Sequence, residues 1–178
     1  MPEDVLRFWF EEIQPAQWWK ADPDFDALVR ARFGPLHAAA VAAELHPWRC
    51  TPEGRLAEVI VLDQFSRNIH RGSPLAFAAD GMALVLAQEA VAAGADQALP
   101  VAQRAFLYMT YMHSESRAIH AISETLFSTP RLESNHAAGL RHRAIVERFG
   151  RYPHRNAVLG RASTAEELAF LQQPGSSF

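Results

Sequence analysis

The chain has one cysteine, Cys50, and one lysine, Lys20, in 178 residues, and its charge-free runs, such as Gly81 to Gln88, are short. A single cysteine excludes an internal disulfide and any zinc or iron–sulfur site built on a cysteine cluster, so a reducing, cytoplasmic compartment is expected. Apolar runs of this length fall short of the roughly 18–20 residues that span a bilayer, so no membrane segment is expected. The first ten residues carry Glu3 and Asp4 where a secretory signal carries basic residues, and no small-residue cleavage site follows, so no export signal is expected. A net charge of −3 argues against a nucleic-acid partner, which calls for a strong basic excess. Eight histidines are present but no HExxH motif, and His136 and His142 lie ~120° out of phase on one helix. No metal or cofactor is expected.

What is there is the composition of a globular protein, long enough for one domain with a sizeable core. The expected organisation is a single all-helical domain over residues 1–178. Its charges are unevenly spread, with an acidic start (Glu3, Asp4, Glu11, Glu12, Asp22, Asp24, Asp26) and a basic end in which residues 141–161 hold six arginines against Glu147.

Prolines punctuate the sequence. Asp22-Pro23, Thr51-Pro52 and Ser73-Pro74 each place a capping residue before a proline suited to the first helical turn, while Gly72, Gly94 and Gly150 suit the left-handed position after a helix. These signals with the three-four apolar spacing predict helices near 3–13, 23–33, 36–46, 52–69, 74–93, 100–112, 116–128, 135–149 and 164–171, the last opened by a capping box from Ser163 to Glu166. Short connections between them imply antiparallel helical hairpins, forming a bundle or a short tetratricopeptide-like α-solenoid, although no 34-residue repeat recurs. The apolar residues Val5, Leu6, Phe8, Trp9, Phe10 and Ile13 cover more than one face of the first helix and are candidates for a dimer contact. The sequence does not fix the oligomeric state.

Two polar clusters stand out. In the apolar segment Leu56 to Ile69, Asp63 shares a helix face with Leu56, Val59 and Ile60, so its carboxylate should be buried and needs a partner, with Arg67 one turn on as the candidate. Gln64, Asn68 and Arg71 form an adjacent polar stripe. The second cluster is the stretch Gly150 to Arg161, a long interhelical connection in which Arg151, Arg155, Arg161 and His154 are ready donors for phosphate or carboxylate. Between them, His113-Ser114-Glu115 closes an apolar helix and offers an imidazole suited to proton transfer near neutral pH. Each cluster has two readings: a ligand site, or a clamp in which the arginines bind carboxylates and helix-end carbonyls.

Phe8-Trp9-Phe10 with Trp18, Leu62 to Ile69, His113-Ser114-Glu115, Phe149 to Asn156, and Leu159-Gly160-Arg161 with Ser163-Thr164 and Glu166-Glu167 together resemble the bacterial domain-of-unknown-function family 924 over nearly the whole chain. The resemblance implies an all-helical, tetratricopeptide-like fold in a mostly bacterial family, and no settled activity. The chain departs from the family's pattern at Trp19, Thr110 and His120, where relatives usually carry phenylalanine, proline and glutamine.

The leading expectation is a concave site for a small anionic or polar metabolite. Asp63, Arg67, Asn68, Arg155, Asn156 and Arg161 would bind the ligand, and His113 with Glu115 would be the proton-transfer pair if a hydrolase or lyase reaction occurs. The alternative is a helical scaffold that captures a peptide or protein, with the arginines on a terminal carboxylate or serving only the fold.

Overall fold

The computed structural model describes residues 1–178. The chain is helical and has no strand: α1 (Pro2–Arg7), α2 (Pro23–Val41), α3 (Pro52–Ile60), α4 (Ser66–Ile69), α5 (Asp80–Ala92), α6 (Ala95–Ala98), α7 (Val101–Met112), α8 (Arg117–Phe127), α9 (Glu133–Phe149) and α10 (Ala165–Leu171). It divides into two compact units, residues 1–71 with 75–110, and residues 72–74 with 111–178.

The first unit is built around a rod, residues 52–69, in which a wider turn of π type, Val61–Phe65, joins α3 to α4. α1 and α5 pack on α3, and α2 packs on the π turn and α4. Enclosed in this way, every residue from Leu56 to Ser66 is buried, as the all-round apolar character of the segment predicts. Each large aliphatic side chain so buried contributes about 1.5–3 kcal/mol. Phe8, Phe33 and Phe65 interlock, with Phe33 and Phe65 centroids 4.7 Å apart, and Trp9 sets its edge against Phe65 at 5.5 Å. Val5, Phe8, Trp9 and Ile13 are therefore buried inside this unit, and of the candidate dimer residues Leu6 and Phe10 stay partly exposed.

Several helix boundaries differ from expectation. Gly34-Pro35 was expected to break a helix, yet α2 runs through it to Val41. Pro35 still lacks an N–H, but Gly34 before it has no Cβ to meet the pyrrolidine ring, which removes part of the clash. Ser73-Pro74 opens only a short 3-10 turn, Pro74–Ala76, and α5 starts at Asp80. At Thr51-Pro52 the expected cap is present, with the Gly54 N–H donating to Thr51 Oγ1 at 3.0 Å. Gly54 is required there, since a Cβ would lie 2.0 Å from the Trp48 carbonyl oxygen.

α5 packs through small residues, with Ala83, Ala87 and Ala90 buried, and leaves Met82 and Val85 exposed. By length and composition alone, the run Pro74–Ala92 is apolar enough to cross a membrane, with a mean hydropathy of 1.5. It also carries Asp80, which is ion-paired to Arg67.

In the second unit α8 and α9 pack on each other across a short connection, burying Phe127, Leu132, Ile145 and Val146. α9 ends at Gly150, whose φ of 69° is the left-handed conformation glycine accepts without strain. The chain then crosses a 3-10 turn, Pro153–Arg155, to α10. α10 is capped one residue later than expected: Thr164 N donates to Glu167 Oε2 at 2.7 Å and Glu167 N to Thr164 Oγ1 at 3.2 Å.

Candidate functional site

The expected site residues fall into two sets. Asp63, Arg67 and Asn68 lie in the first unit; His113, Glu115, Arg155, Asn156 and Arg161 lie in the second.

In the first set the rod supplies the polar groups. Asp63 has the partner its helical position demands: Arg67 Nη1 lies 3.1 Å from Asp63 Oδ1, and the Gln64 amide donates to Oδ2 at 2.6 Å. Arg67 also reaches α5, donating to Asp80 Oδ1 and Oδ2 at 2.9 and 3.0 Å. One turn on, Asn68 donates to Asp26 Oδ1 at 2.8 Å, and Arg71 forks onto both oxygens of Asp26 at 2.5 and 2.9 Å. Burial pushes the Asp26 carboxyl up, but the hydrogen bonds from Arg71 and Asn68 outweigh it and hold the group below the usual carboxylate range. The arrangement fastens α2 and α5 to the central rod. The same holds for Glu58, fully buried in the rod and held by Arg49 at 2.6 and 2.7 Å.

In the second set Glu115 is the anchor. It accepts two bonds from Arg161, at 2.6 and 2.8 Å, and one from the Tyr152 N–H at 2.7 Å. Burial raises the Glu115 carboxyl, and the Arg161 fork with the Tyr152 N–H more than reverses this, so the group stays ionised at neutral pH. A carboxylate held this way is a weak base. Arg161 also donates to Asn156 Oδ1 at 3.0 Å and to the Tyr152 carbonyl at 3.2 Å, and buried Asn156 donates in turn to Ser163 Oγ at 3.0 Å. Arg155 donates to the His113 carbonyl at 3.1 Å and sets its guanidinium over the Tyr152 ring at 4.8 Å. Arg151 is a clamp, gripping Glu167 at 2.7 and 2.8 Å and the Ala162 carbonyl at 2.9 Å; its fork lowers the Glu167 carboxyl to about 2.

Tyr152 is the hub that residue types and spacing did not single out. Its ring is buried, its hydroxyl donates to the Met112 carbonyl at 2.5 Å, and the same oxygen lies 3.0 Å from His120 Nε2. Because His120 Nε2 is also 2.9 Å from the Ser114 carbonyl, it carries the proton, leaving Nδ1 as the bare nitrogen. His120 thus supports the His113-Ser114-Glu115 segment from beneath. Burial keeps His120 and His142 uncharged, with His113 nearby opposing protonation of both, and pushes His142 down to about 3.

Asp26, Asp80 and Glu167, the acceptors of these arginines, also went unrecognised. They lie 45, 13 and 16 residues from Arg71, Arg67 and Arg151, beyond any local spacing rule. Glu58 did carry a signal, since it interrupts the same apolar run as Asp63.

The pattern of the DUF924 family, bacterial proteins of unknown function, matches residues 5–175. The solved structure of a protein of unknown function from Agrobacterium tumefaciens is similar, with a TM-score of 0.89 and 36% sequence identity, covering 96% of each chain. The chain belongs to the DUF924 family. No curated protein matches it.

Proposed function

We propose that the second unit binds a small anionic or polar ligand, a metabolite or a peptide carboxylate, at Glu115, Arg155, Asn156 and Arg161, with His113 on the adjoining segment. The observation that carries this reading is the state of Arg161. Glu115, Asn156 and the Tyr152 carbonyl hold its guanidinium rigidly, yet those bonds use four of its five N–H donors and a quarter of the side chain meets solvent (25%). A preorganised, solvent-facing guanidinium suits a carboxylate or phosphate, because little ordering is needed on binding. An anion on Arg161 competes with Glu115 for the fork. Glu115 then regains basicity beside His113, which is how this pair would come to move a proton. Asp63, Arg67 and Asn68 are given a fastening role, since Arg67 donates to Asp80 and Asn68 to Asp26 on helices packed against the rod, and Asp63 is the buried acceptor paired with Arg67.

The test is the melting temperature of wild type and Arg161→Ala against a panel of phosphates and carboxylates. A ligand at 100 times its Kd adds ~2.7 kcal/mol to wild-type stability. The shift should vanish in a folded Arg161→Ala; an equal shift in both proteins would remove Arg161 from the site.

A second reading, a helical scaffold for a protein partner, draws on one observation. Leu75, Met82 and Val85 leave the run Pro74–Ala92 with exposed apolar side chains. Met82→Glu with Val85→Glu would abolish capture of such a partner while leaving anion binding unchanged.

A further inference from the structure

We infer that the second unit contains a niche for a planar aromatic ring, filled here by the side chain of Phe178, and that the anionic ligand proposed above carries such a ring. The inference rests on that proposal for the anion and on independent geometry for the ring.

The niche is a set of rings gathered around Tyr152. His142, His154 and His120 centroids lie 5.9, 5.7 and 6.2 Å from that of Tyr152. Phe178 sits against this group, 3.7 Å from His142, 4.5 Å from His154 and 5.1 Å edge-on to Tyr152. The His154 and Tyr152 separations are those at which flat rings attract one another beyond simple area burial, and the His142 contact is closer still. The Phe178 ring is held from one side only, since the residue is 54% exposed. The segment that delivers it turns at Gly175, whose φ is 77°, and is tied back by Ser176 Oγ donating to the Leu171 carbonyl at 3.1 Å. Displacement of this half-exposed ring uncovers the rings of His142, His154 and Tyr152. Burial keeps the His142 imidazole neutral, so the face offered is a π surface rather than a charge.

Tyr152 connects this niche to the anion fork. Its N–H is on Glu115, its carbonyl accepts from Arg161, and its ring lies beneath Arg155. Tyr152 thus touches both the fork and the ring niche, which suits a ligand that carries an anion and an aromatic ring together, as an aromatic acid does. An aliphatic acid of equal charge would lack the ring contacts.

The test uses the full chain, wild type and Phe178→Ala, with indole (ring alone), acetate (anion alone) and indoleacetate (both), followed by NMR of the His142 and His154 imidazoles and the Arg161 guanidinium. Indole should shift His142 and His154 in wild type. In Phe178→Ala its affinity should rise about two- to tenfold, as removal of a competing ring contact implies. Indoleacetate should bind more tightly than acetate. Indole that leaves both imidazoles unmoved in both proteins, or binds more weakly to Phe178→Ala, would overturn the niche. If indole behaves as expected but acetate never reaches Arg161, the niche stands and the anion proposal fails.

Discussion

Asp63 and Glu115 do the same elementary thing, accepting an arginine, in opposite surroundings. Asp63 is 1% exposed inside a helix enclosed by three others; Glu115 is 27% exposed between two helices and is reached from a long connection. In the first unit the acceptors Asp80 and Asp26 sit on packed helices, and the bonds from Arg67, Asn68 and Arg71 end on them. In the second, loop residues supply the donors and the charges meet water. A buried ion pair gives a fold little beyond what apolar packing would, but breaking one is costly. A half-exposed fork costs less to break and is free to exchange partners. The two clusters share a composition and differ in what surrounds them.

Asp63→Ala should test the closed cluster hardest. It leaves the largely enclosed Arg67 with Asp80 as its remaining carboxylate, and urea unfolding should show a loss of about 3 kcal/mol. Next is acidification, which acts on the second unit. His142 titrates near 3 in the fold against 6.5 ordinarily, so below pH 6.5 the unfolded chain takes up a proton that the fold refuses. Stability is full above that value and declines as the pH falls; about 2 kcal/mol should be gone at pH 5, and His142→Gln should remove most of that pH dependence. Glu115→Gln should cost less, roughly 1–2 kcal/mol, because solvent reaches the pair and the amide still accepts a bond. Its carboxylate has a lowered pKa, so its contribution is present above its usual 4.5 and is lost as the pH falls through the folded value. Arg148→Ala is the smallest change. Arg148 and Glu166 are both about half exposed, and the unfolding midpoint should not move measurably.

The sequence carries much of this contrast and misses part for a physical reason. The apolar run around Asp63 announces a buried rod, and an i, i+4 arginine announces its partner, because both signals lie within one helical turn. The helix through Gly34-Pro35 was not legible, since packing along α2 outweighs the local cost of the proline. The Thr164-Glu167 cap was displaced by one residue because Ser163-Glu166 has the same spacing and chemistry. Asp26, Asp80 and Glu167 were invisible as partners, because chain topology rather than spacing brings them to their arginines. Tyr152 passed as one aromatic among many until the fold placed His120, His142 and His154 around it.

The measurement that bears most directly on the contrast compares Arg71→Ala with Arg161→Ala, each removing a partly exposed arginine fork from one cluster, in melting experiments against phosphate and carboxylate ligands. Stabilisation kept in Arg71→Ala and lost in Arg161→Ala is the predicted result. Stabilisation lost in Arg71→Ala and kept in Arg161→Ala, or no ligand stabilising wild type, would contradict the assignment of the open cluster as the binding site.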